Sequence, residues 1–144
     1  MNGGEPADRI VQADGRSKAY RPLPDRERSS AIRSGLAAYT DGDYFLAHEL
    51  LEPAWMGTAD PAERALLQGL IKLAAADVHG VRGNPRGVAR NLEGALDRLR
   101  YAADAGVAPP ESLDLRPLIS DLESRLDLAR RGEPTEPTTL RWSR

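Results

Sequence analysis

Two histidines, His48 and His79, and the carboxylates near them hold most of the chain's capacity for chemistry. His48 and Glu52 stand four apart, so on a helix their side chains lie one above the other and can touch or share a ligand. Glu49 lies between them and Trp55 follows. The functional reading is a divalent metal held by His48 and Glu52, with His79 or Asp77 from a later helix as third ligand. A closed Zn or Fe site needs three or four convergent ligands. The bland reading is a His48–Glu52 hydrogen bond that satisfies a polar pair at the edge of the core. Glu52 stands where the zincin signature needs its second histidine, so metalloprotease chemistry is not supported. Glu49 and Glu52 could form half of an acidic Mg²⁺ site, but Glu93 with Asp97 matches the other half poorly. The chain has no cysteine and no serine beside either histidine, so nucleophilic catalysis has no visible support.

A second row, Gln68, Lys72 and His79, reads either as the lining of a ligand pocket or as a solvated stripe with hydrogen bonds between helices. Trp55 reads as a core or interface anchor. Asp77 falls on an apolar helix face, where a carboxylate needs a partner. It is either a specialised site residue or a solvated edge.

Helices must position these groups. Asp25 is the expected N-cap of a first helix running to about Asp41, stopped by Gly42. Asp43 caps a second helix to about Trp55, with Ala47, Leu50, Leu51 and Ala54 on one arc. Pro53 removes the hydrogen bond to the carbonyl of Glu49, so the helix should kink or end there. Asp60-Pro61-Ala62-Glu63 is a strong start for a third helix to about Val81. That helix is apolar over most of its circumference, the profile of a central helix, with Arg64, Gln68, Lys72 and His79 in its narrow polar gap. Asn84-Pro85 opens a fourth helix to about Ala103, and a fifth spans about Asp114 to Arg131. No segment reads as a strand.

Gly42-Asp43 is echoed 41 residues later by Gly83-Asn84. The spacing suggests two antiparallel helical hairpins with tetratricopeptide-like packing and a C-terminal capping helix, although the period exceeds the usual repeat of about 34. Residues 1–24 are expected to form a flexible arm, with Ile10, Val11 and Tyr20 as docking points. Residues 25–132 form the helical domain, and residues 133–144 a loose tail on which Leu140 and Trp142 could dock.

At 144 residues and net charge −2 the chain can bury a core without staples. No basic stripe suggests nucleic acid, and the longest apolar run is interrupted by Gln68, Lys72 and Asp77, so no membrane span is expected. No signal-peptide core is visible, and a cytoplasmic location is expected.

Three blocks resemble the DUF309 family of small all-α proteins of unknown function. They are Gly42-Asp43-Tyr44-Phe45-x-Ala47-His48-Glu49-x-Leu51-Glu52-x-x-Trp55, Glu63-Arg64-x-x-Leu67-Gln68-Gly69-Leu70-Ile71 and His79-x-x-Arg82-Gly83-Asn84-x-x-Gly87. The resemblance implies packed helical hairpins and a metal-binding role for the His-x-x-x-Glu-x-x-Trp motif, here His48, Glu52 and Trp55. Two function classes therefore stand. One is a small helical protein binding a divalent metal or polar ligand; the other is a scaffold or oligomerising module that holds a second copy or another protein. An enzyme is the less favoured reading.

Overall fold

Four of the five helices begin where a side chain accepts a hydrogen bond from an orphan amide of the first turn. The computed structural model of the chain describes residues 9–11 and 17–143; the side chains of Ile10, Val11 and residues 17–19 lie outside that description. Helix α1 is Asp25–Thr40, α2 Tyr44–Met56, α3 Pro61–Val81, α4 Pro85–Asp104 and α5 Leu115–Arg130. Asp43, Asp60, Asn84 and Asp114 accept from the amides of Leu46, Glu63, Gly87 and Arg116. Helix α1 differs from expectation, because Pro24 occupies the cap and Asp25 is its first helical residue.

The repeated turn is real. Gly42 and Gly83 both adopt positive φ, at 85° and 70°, and each is followed by a capping Asx residue. Glycine takes this conformation without the Cβ clash that other residues meet. The helices then pack in chain order, α1 on α2, α2 on α3, α3 on α4 and α4 on α5. Helix α3 is buried on two sides, by Leu66, Leu70, Leu73 and Ala74 and also by Ala65, Gly69 and Ala76. A Cβ on Gly69 would sit 2.9 Å from Leu99 and 3.3 Å from the Ala95 carbonyl oxygen, so this glycine sets how closely α3 and α4 approach.

The fold is all-α, and no helix among the described residues is long and apolar enough to cross a membrane. Beyond the start of α1, four local features differ from expectation. Arg9–Val11 pairs antiparallel with Ser17–Ala19 in a ribbon whose three-residue strands are too short to show an alternating pattern.

Helix α2 also continues past Pro53 to Met56. Proline obstructs the turn that precedes it, not the one that follows, and every carbonyl of that last turn has a donor. Gly57 N bonds Pro53 O at 2.9 Å, Thr58 Oγ1 bonds Ala54 O at 2.7 Å, and Arg21 N bonds Met56 O at 2.9 Å. Trp55 O receives the Arg64 guanidinium at 2.8 Å.

Arg64, placed by the sequence in a polar gap, is the third difference, being 1% exposed. The fourth is the tail from Glu133, expected to be loose, which lies along the body. Thr138 and Leu140 are buried, Asp114 N bonds Arg141 O, and Ser143 N bonds Ser112 O, both at 2.8 Å.

Candidate functional site

The outer side of α2 carries the motif. Positions 45, 49, 52 and 56 recur at helical spacing on one face, with His48 beside them. Phe45 is 60% exposed and Glu49 is exposed, while His48 and Glu52 are half-buried. Helix propagation from the Asp43 cap and burial of Ala47, Leu51 and Ala54 on the opposite side fix this orientation. His48 Nδ1 lies 3.7 Å from Glu49 Oε2. The expected His48–Glu52 hydrogen bond does not form, and Glu52 enters no ion pair among the described residues.

His79 is directed elsewhere. Its ring packs over Gly87 of α4, where a Cβ would come within 2.4 Å of it. Its Nδ1 accepts from Asn84 Nδ2 at 3.1 Å, while Asn84 Oδ1 caps α4. Asn84 thereby ties the last turn of α3 to the first of α4. Among the described residues no three His, Cys, Asp or Glu side chains gather closely enough to hold a metal ion. His48 and Glu52 thus lie on α2 without His79 beside them.

Trp55 and Arg64 form the inner end of the motif. The Arg64 guanidinium stacks 4.6 Å from the Trp55 ring centroid and donates to the carbonyls of Trp55 and Thr58. A cation at a helix C-terminus complements the dipole, and the aromatic face adds to the attraction. Burial lowers the Arg64 pKa. Gln68 and Lys72 are half-buried, and the Lys72 stem crosses Gly94 of α4.

Asp77 is the residue that the fold treats most unusually. It is 3% exposed and meets Arg125 of α5, itself 4% exposed, with Arg125 NH2 2.5 Å from Asp77 Oδ1. Tyr39 of α1 donates its hydroxyl to Asp77 Oδ2. The Tyr39 oxygen in turn accepts from the amide of Thr138 at 3.1 Å. Arg125 NH1 donates to Thr138 Oγ1 at 2.9 Å, and Thr138 Oγ1 reaches Asp121 Oδ2 at 2.5 Å. A buried ion pair of this kind persists only when its remaining polar atoms are satisfied; here only Arg125 Nε is without a partner. Burial first, and the Asp77 charge second, push the Tyr39 hydroxyl far above the usual tyrosine range. Tyr44 packs on Tyr39 with ring centroids 5.1 Å apart, and its pKa is raised by the same two causes.

Asp77 is therefore not a solvated edge: it is buried and paired with Arg125. Its partner Arg125 escaped the sequence reading. Arg125 follows Leu122 by three positions and precedes Ala129 by four, so it lies on the apolar face of α5, and that placement was the available signal.

A family model described as a domain of unknown function, DUF309, matches residues 32–91, from α1 into α4. That stretch contains His48, Glu52, Asp77 and His79 and excludes Arg125. No curated protein and no solved structure matches the chain.

Proposed function

We propose, on this chain's own geometry and beside the similarity of residues 32–91 to the DUF309 domain of unknown function, that it is a helical recognition module. Its binding face is the outer side of α2, and its partner is a protein segment carrying Lys or Arg beside an apolar side chain. The observation that carries this reading is the exposed Phe45 on the same face as Glu52, a half-buried carboxylate with no ion pair among the described residues. Exposed aromatic anchors and complementary charge are what protein interfaces use for affinity and for steering. A second copy fits this face poorly. Two antiparallel α2 helices would set Glu49 against Glu52, and like charges across an interface cost affinity.

The test compares proteins retained by the immobilised chain, by a Phe45→Ala/Glu52→Gln double variant and by a Tyr101→Ala control, whose altered aromatic is exposed on α4. A species held by the chain and the control, lost by the double variant and eluted by salt supports the reading. Identical retention by all three at low salt sinks it.

A divalent cation is the second reading of the same face, because the fold leaves the His48 ring and the Glu52 carboxylate without a mutual hydrogen bond. Two ligands would leave the remaining positions to water or to a partner. Thermal melts with Zn²⁺, Mn²⁺ and Ni²⁺ decide it: a shift abolished by His48→Ala favours the metal, and no shift removes it.

A further inference from the structure

The tail runs antiparallel to α5, from its end back to its beginning. Thr135 Oγ1 accepts from Arg125 NH2 at 3.3 Å, and Thr138 sits at Arg125 and Asp121. Further along, Arg141 O accepts from Asp114 N, Trp142 forms a bridge with Leu113, and Ser143 N bonds Ser112 O. Leu140 is buried in the main core, whereas Thr139 and Arg141 are exposed. The attachment is therefore mostly polar and sequence-specific. It requires hydroxyls three residues apart and a leucine two further on. Such a pattern recognises an extended segment through backbone bonds and alternate side-chain seats.

The segment beneath the end of the tail is strained. Glu111 and Ser112 both have positive φ, at 54° and 59°, in a region that costs free energy for residues with a Cβ. Ser112 is held there partly by Ser143. Release of the tail would let this turn relax, which lowers the cost of opening. At the other end Gly132, with φ of 75°, and Pro134 make a short hinge after α5.

We propose that the lane along α5, formed by Tyr39, Asp77, Asp121 and Arg125 with the seat of Leu140, is a recognition groove for residues 133–143. The chain's own tail is its resident occupant and exchanges with the same segment of a second copy. Exchange of an identical element is a low-cost route to a dimer, because the new contacts repeat the old ones. This groove is separate from the outer face of α2, so its failure leaves the α2 reading untouched.

The experiment uses the full chain carrying Thr138→Ala/Leu140→Ala and a synthetic peptide of residues 133–144. The double variant should stay helical by circular dichroism and melt lower by roughly 5–10 °C. The peptide should restore most of that loss in a concentration-dependent manner, and a peptide with the same two substitutions should restore none. Sedimentation of the unsubstituted chain should show a dimer at high concentration that the double variant lacks. No rescue, equal rescue by the substituted peptide, or a strict monomer at every concentration overturns the proposal. Hydrogen exchange on the unsubstituted chain gives a measurement independent of any variant's folding. The amides of Thr138, Asp114 and Ser143 should exchange at least about tenfold faster than those in the middle of α3, and equal protection overturns the idea of a tail that opens.

Discussion

Asp77 and Arg125 show how much one polar pair can demand of a core. Removing either partner leaves the other charged and enclosed, which typically costs about 3–5 kcal/mol. Replacing both with apolar residues of similar size removes that penalty. Asp77→Leu and Arg125→Met singly should therefore each destabilise strongly in urea melts, while the double variant recovers a large part of the loss. Simple additivity in that cycle would show that the two side chains are not coupled.

Tyr39 gives the same site a pH signature. In the folded chain its hydroxyl keeps its proton above pH 10.0, the ordinary tyrosine value, because burial and the Asp77 charge oppose ionisation. The unfolded chain releases that proton from about pH 10 upward, so it binds fewer protons than the folded chain and stability falls as pH rises. Below pH 10 this contribution is fully present. Alkaline titration should show Tyr39 absorbance changing only as the helices melt, and a free, reversible titration of every tyrosine in the folded protein would contradict it.

At the scale of elements, much was legible because each helix carries its own punctuation. Asp43, Asp60 and Asn84 mark three starts by local chemistry, and the glycines at 42 and 83 mark the turns before two of them. The end of α2 was less legible, because its last carbonyls are satisfied from Arg21 and Arg64, outside the helix. No pattern within α2 could announce that. The register of α3 against α4 depends on Gly69, where an added methyl would meet Leu99 and the Ala95 carbonyl oxygen. Gly69→Ala should gain helix propensity yet lose about 1–3 kcal/mol through overpacking, measured as a lower urea midpoint. A higher midpoint would mean that α3 and α4 can separate freely.

Across the whole molecule, the order of the helices followed from the sequence, whereas the closing of the ends did not. Apolar periodicity reports which face is buried and says nothing about a partner 48 positions away, the separation between Asp77 and Arg125. The composition of the tail suggests looseness because Pro and Thr rarely build a core. Its attachment is instead polar and depends on Thr138 reaching Tyr39 across 99 positions. The candidate motif shows the opposite case. His48, Glu52 and His79 were prominent as types, but α2 faces two of them outward while α3 turns the third to Asn84. Type and spacing identified them without revealing which neighbour each would meet.

The separation between Asp77 and Arg125 also has a consequence for biosynthesis. During translation the first three helices emerge well before residue 125, and Asp77 then has Tyr39 but no cation. A nascent chain cannot enclose that carboxylate at low cost, so the α1–α3 body stays open on that side until α5 and Thr138 leave the ribosome. Closure of that side thus waits for Arg125 and Thr138. A chain broken between Asp77 and Arg125 would lack that cation and yield a helical but unsealed product, the kind of chain that cellular proteases remove first.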